Sequence, residues 1–142
     1  MNADLFELWR KQIPMIDLMG VKPLSLSQYS LENTVKFEPN KNEKNTVLGG
    51  SLSSVCALSG WMFCSANFNG ANVSIVKQEC EFLAPVNQDF VVRISIEPDD
   101  LDAVKQKLQA RGKSSFKMLA KVYELGSSTV AMQSSLVYVV AL

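Results

Sequence analysis

The sequence predicts an α+β fold in which one antiparallel sheet wraps around a long, central, buried helix. Three observations predict it. Residues 45–76 contain no charged side chain. Within them, Ser51 to Ala66 carries Leu52, Val55, Cys56, Leu58, Trp61, Met62 and Phe63, with serines as the polar relief. A helix apolar on all sides is either buried in a core or spans a membrane. This run is shorter than the ~20 residues a span needs, and serines interrupt it, so burial is the reading. Lastly, four β-prone runs follow, three of them alternating apolar and polar residues at period 2, the mark of strands with one buried and one wet face.

The elements follow in chain order. From Asp4 to Ile16, the apolar residues Leu5, Phe6, Leu8, Trp9, Ile13 and Ile16 define one face of a helix, with Asp4 and Glu7 fitting a capping box. Pro14 should kink this helix or start a second short turn, and Gly20 can end it. Val21 to Ser30 and Asn33 to Phe37 read as strands joined by a short polar turn. Glu38 to Asn45 is a polar loop rich in asparagine, leading into the buried helix. Val73 to Leu83, Asp89 to Ile96, Ser114 to Tyr123 and Val130 to Leu142 are the later strands. Between the second and third of these, Glu97 to Arg111 carries every start and stop signal of a helix: Pro98, two early aspartates, Leu101, Val104 and Leu108 at helical spacing, and Gly112 just past the end.

The 142 residues suit one domain spanning 1–142, large enough to bury roughly 70% of its unfolded surface. Lys+Arg and Asp+Glu are both 14, so there is no basic surplus to hold a nucleic acid. There is no histidine. That excludes Ser-His-Asp and Cys-His hydrolysis, histidine-dependent hydration and most zinc sites. Cys56, Cys64 and Cys80 form no CxxC and sit among apolar residues, which suits reduced thiols packed in a core. The first residues lack the pattern of a signal peptide, so a cytoplasmic protein is expected, with no membrane and no cofactor.

Several segments resemble the hotdog fold of acyl-CoA thioesterases and dehydratases. "VLGGSL" is similar to the glycine pair that opens the central hotdog helix. "ECEFLAPVNQDFVVRISI" resembles the strand, aromatic-x-x-Pro-Val turn and next strand. "GKSSFKMLAKVYELGSSTVAMQSSLVYVVAL" resembles the closing hairpin. The additional helix from Pro98 to Arg111 and "GGSLSSVCALSGW" look most like a small bacterial group of thioesterase domains, sometimes found behind an acetyltransferase-like domain. Many hotdog thioesterases place an asparagine, then five residues, then His-Gly-Gly, with an acidic residue seven positions after the second glycine. Here those positions hold Asn42, Leu48, Gly49, Gly50 and Ala57. The backbone features remain and the usual carboxylate is missing.

The resemblance implies a thioester carbonyl resting at the start of the central helix. Unpaired N–H groups and the positive end of the dipole lie there, and a glycine offers no side chain to block close approach. Against this stands a plain structural reading, in which a tight loop-to-helix turn needs glycine for its backbone angles. The candidate catalytic residues are Asn42, Gly50 and Ser54, with Asn42 orienting water. Asn45, Leu48, Gly49, Ser51 and Ala57 are the candidate substrate contacts. Each has a structural alternative: turn asparagines for Asn42 and Asn45, a first-turn or capping serine for Ser51, and a serine bonded back to its helix for Ser54. Glu43, Glu79 and Glu81 read as solvated. Trp61, Met62 and Phe63 read as core or as the lining of an acyl tunnel.

The expected activity is hydrolysis of an acyl-CoA or acyl-carrier thioester; the alternative is a module that binds such a thioester without cleaving it. An antiparallel sheet with a helix on one side leaves edges and an outer face. Pairing with a second copy, and of two such dimers, would cover them.

Overall fold

The structure, a computed structural model, describes residues 3–142. Two short helices, α1 (Ala3–Gln12) and α2 (Met15–Leu18), meet at Pro14 and end before Gly20, whose φ of +70° suits glycine. Asp4 lies inside the first turn of α1, and the Glu7 carboxylate pairs with Arg10 at 2.7 Å. β1 (Val21–Leu26) and β2 (Ser30–Val35) follow. The turn between them lies earlier than the sequence suggested, because the Ser27 hydroxyl oxygen accepts the N–H groups of Tyr29 and Ser30 and closes it there. A short 3-10 turn (Glu38–Asn40) leads to the central helix α3 (Gly49–Asn67). Then come β3 (Asn72–Phe82), β4 (Phe90–Ser95), α4 (Pro98–Arg111), β5 (Lys113–Glu124) and β6 (Val130–Ala141).

The six strands form one sheet in the order β1-β2-β4-β5-β6-β3, and every pairing is antiparallel. The sheet curls around α3, which touches β2, β3, β4, β5 and β6. This is the hotdog arrangement expected. Phe90, Val92 and Ile94 of β4, Met118 and Val122 of β5, and Leu136 and Val140 of β6 meet Val55, Cys56, Met62 and Phe63 of α3, all buried. Each fully buried side chain of this size contributes about 1.5–3 kcal/mol. The Cys56 and Cys64 thiols are free and buried, and burial pushes both well above the ordinary thiol range, which removes them as nucleophiles. Among the described residues no helix is long and apolar enough to cross a membrane.

Two features of α3 depart from a helix buried on every side. One stripe, at Gly50, Ser54, Ala57, Leu58 and Trp61, is exposed or half-buried. Towards its C-terminal end this stripe is covered by α1, where Trp9 packs edge-on against Trp61 and donates to the Ser65 hydroxyl at 3.2 Å. Towards its N-terminal end nothing covers Gly50 and Ser54, which stay exposed. The other feature is Gly60, deep in the interface. Tyr138 crosses the helix at that point and its hydroxyl donates to the carbonyl of Ala57.

β3 also departs from its sequence pattern. The alternation of Val76, Cys80 and Phe82 against Lys77, Glu79 and Glu81 predicted one buried face, yet no residue of β3 is fully buried. The sheet order explains this. β3 is an edge strand paired only with β6, and its inner face lies over the uncovered end of α3. Ile75, Val76 and Phe82 stay exposed, with Leu83 just beyond the strand.

Candidate functional site

The start of α3 is set by its neighbours. The N–H of Leu48 donates to the Asn40 carbonyl at 2.9 Å, and the N–H of Val47 to the Val86 carbonyl at 2.7 Å, tying this loop to the one between β3 and β4. The Leu48 carbonyl then accepts the N–H groups of Ser51 and Leu52. The amides of Gly49 and Gly50 bond to no described residue. They are the orphan donors of a helix start, where the dipole adds partial positive charge.

Neither glycine is required by the chain itself. The positive-φ glycines are 20, 70, 112 and 126, so 49 and 50 hold ordinary backbone angles and the tight-turn explanation does not apply. A Cβ on Gly50 would meet nothing within 4 Å. A Cβ on Gly49 would make ordinary contact with the Phe82 ring at 3.6 and 3.8 Å.

Beside Gly49 opens a cleft of about 310 Å³ lined by Thr46, Val47, Gly49, Leu52 and residues 82–86. The Leu52 and Val86 walls are buried, while Phe82 is 55% exposed at the mouth. The lining contains no charged residue, and Thr46 is its one polar side chain. Such a cleft accepts an uncharged apolar group, next to unpaired N–H donors that suit an oxygen carrying negative charge.

The structure divides the sequence-derived candidates. Gly49 lines the cleft. Asn42 is half-buried and does not. Its side-chain oxygen accepts from the N–H groups of Lys44 (2.9 Å) and Thr46 (3.2 Å) and from the Thr46 hydroxyl (3.2 Å), so that oxygen is occupied in holding the loop. Asn45 is exposed with φ of 59°, and its N–H donates to the Asn42 carbonyl, the geometry of a turn asparagine. Leu48 is the N-cap residue and half exposed. Ser51 sits in the first turn and caps nothing. Gly50, Ser54 and Ala57 share the uncovered stripe of α3, outside the cleft. Trp61, Met62 and Phe63 belong to the packing, and no cleft reaches Met62 or Phe63, both fully buried.

Sequence reasoning missed Thr46 and Gln78, and placed Phe82 only as the aromatic of a turn motif. The Gln78 amide donates to the Ser53 carbonyl at 2.9 Å and to the Ser134 hydroxyl at 3.2 Å, pinning β3 to α3 beside the site. Only the three-dimensional meeting of residues 46–52 with 82–86 brings these groups together. The glycine pair and the aromatic-x-x-Pro-Val turn at residues 82–86 were the two signals of that place in the sequence.

Comparison with known proteins agrees with this architecture. The model of the family described as "Putative thioesterase (yiiD_Cterm)" matches residues 2–141. No curated protein matches the chain. Among solved structures, a putative thioesterase from Shewanella oneidensis shares 22% identity at a TM-score of 0.83, covering 98% of this chain and 96% of that one. A protein of unknown function from Pseudomonas aeruginosa, titled a probable thioesterase, shares 14% at 0.86, covering 99% and 96%. A protein of unknown function from Chlorobaculum tepidum shares 19% at 0.86, covering 97% and 92%. At these identities the likeness speaks for the fold alone.

Proposed function

The chain belongs to the family described as "Putative thioesterase (yiiD_Cterm)", a family of thioester hydrolases, and from that premise we propose that it hydrolyses an acyl thioester of coenzyme A or of an acyl carrier at the start of α3. The observation that carries this reading is the glycine pair. Gly49 and Gly50 have ordinary backbone angles, free N–H groups and no packing that forbids a side chain. Glycine leaves the unfolded chain more freedom to lose than alanine does, a cost of roughly 0.5–1 kcal/mol in the middle of a helix. Two in succession, with no intramolecular reason, fit a place that something outside the chain must approach closely.

In this reading the thioester carbonyl oxygen lies against those N–H groups and the acyl group enters the cleft. Water attacks the carbonyl carbon and the thiol leaves. One such donor is worth about 3 kcal/mol to the transition state, a contribution that is made without the carboxylate missing at Ala57. The uncovered stripe of α3 and the exposed edge of β3 suit a homodimer, in which a second copy pairs along β3 and shields the site from bulk water. A cytoplasmic setting is consistent with the composition.

The test is release of free thiol from short, medium and long acyl-CoAs, with Gly50→Val as control. Turnover that Gly50→Val abolishes in a folded protein supports the site. Tight binding of an acyl-CoA without thiol release would favour a thioester-binding module instead, the reading motivated by Ala57. Unchanged turnover in Gly50→Val would remove the start of α3 from consideration.

A further inference from the structure

Thr46 is the one polar side chain on an otherwise apolar cleft. Three donors converge on the side-chain oxygen of Asn42: the N–H of Lys44, the N–H of Thr46 and the Thr46 hydroxyl. The two backbone N–H groups decide which end of the Asn42 amide faces them. It must be the oxygen, since an NH₂ group there would set donors against donors. The Thr46 hydroxyl, 3.2 Å from that oxygen, is then placed to donate its hydrogen to Asn42. A hydroxyl that donates there keeps its lone pairs to accept with, at the one polar side chain among the residues that line the cleft.

An acceptor at that place has a use in thioester hydrolysis. The nucleophile is water, which has hydrogens to donate, and the thioester carbonyl has none. We infer that the Thr46 hydroxyl accepts a hydrogen bond from the attacking water and turns its oxygen towards the carbonyl carbon. Asn42 is the positioning residue behind it. This rests on the thioesterase reading above, and it moves the contact with water from Asn42, whose oxygen is occupied, to Thr46. The water oxygen bonds to the carbonyl carbon and the C–S bond breaks with its electron pair on sulfur. One water proton ends on the departing thiolate and the other remains with the acid. Thr46 takes up no proton and does not attack, because its hydrogen faces an amide oxygen that cannot act as a base. Its contribution is orientation.

The experiment is steady-state hydrolysis of butyryl-, octanoyl- and benzoyl-CoA by the full chain and by Thr46→Val and Thr46→Ser. Valine keeps the shape and loses the acceptor; serine keeps the acceptor. The inference expects kcat of Thr46→Val to fall about 100-fold with KM little changed, and Thr46→Ser to recover most of it. A purely structural role for the hydroxyl would lower the melting temperature of Thr46→Val without this kcat-specific loss. Wild-type release with an unaffected Thr46→Val, an effect confined to KM, or no recovery by serine would overturn the role of Thr46 while leaving the thioesterase reading in place. No release by the wild-type chain from any of the three would overturn both.

Discussion

The ring of Tyr138 occupies the space that a side chain on Gly60 would need: a Cβ there would lie 2.7 Å from the tyrosine oxygen and 2.8 Å from its Cε2. The same tyrosine donates to the carbonyl of Ala57, one turn earlier, and burial pushes its hydroxyl well above the ordinary phenol range. Glycine in mid-helix is ordinarily a weakness, and here it is what lets the sheet approach α3. Gly60→Ala is therefore expected to destabilise by about 1–3 kcal/mol through overpacking, despite the gain in helix propensity. Urea unfolding measures it, and a stabilised variant would contradict the packing.

Gly50 predicts the opposite sign. With open space around its Cβ and ordinary backbone angles, Gly50→Ala should stabilise the fold by up to ~1 kcal/mol. Thiol release should nevertheless fall, because the new methyl group crowds the approach to the free amides. A thermal melt and a turnover assay on the same sample separate the two effects. A variant that is both more stable and fully active would show that Gly50 has no part in the reaction.

Phe82 stands 55% exposed at the mouth of the cleft, where its ring would meet a Cβ on Gly49, and it has little core packing to lose. Phe82→Ala should cost under ~1 kcal/mol of stability and lengthen the preferred acyl chain. An added methylene in an apolar pocket is worth about 1–3 kcal/mol, so kcat/KM for longer thioesters should rise relative to short ones by tenfold or more. The same ratio in variant and wild type would place the acyl group elsewhere.

The edge of β3 is the place to test self-association. Val76 is 58% exposed beside the bulge of that strand. If two chains pair there, sedimentation should give twice the 15.7 kDa chain mass, and Val76→Lys should return the protein to monomers. A dimer that survives Val76→Lys would have to use another surface.

Much of the fold was legible because each signal was local. Pro14, Gly20, Pro98 and Gly112 mark helix ends through backbone angles that their own chemistry dictates, and the β5 alternation shows directly which side chains face α3. The site was legible as the glycine pair and as the aromatic-x-x-Pro-Val turn, with nothing to say that the two face each other. Asn42 attracted attention by spacing, yet its oxygen serves the loop, and spacing cannot say how many donors will converge on one atom. Thr46 carried no signal, since a threonine beside a polar loop is ordinary until the fold sets it at the opening, and Phe82 was legible as the aromatic of its turn motif but not as a wall of the site. The exposure of β3 was hidden for a related reason: alternation reports that a strand has two faces, and only sheet order reports whether anything covers them.

The sheet order also carries a consequence for synthesis. β3 pairs with β6 alone, and roughly fifty residues separate the end of one from the start of the other. At the ~5–20 residues per second of translation, several seconds pass before β3 gains any strand partner. Through that interval only contacts such as Gln78 to Ser53 and Val47 to Val86 can hold β3 and its loop to the opening of α3, and a strand with both edges bare is exposed to its neighbours on the polysome. The cleft is thus among the last parts of the molecule to exist. Substitutions that weaken β6, far from any reacting atom, should therefore lower the yield of active protein more than they lower the stability of the protein that is recovered.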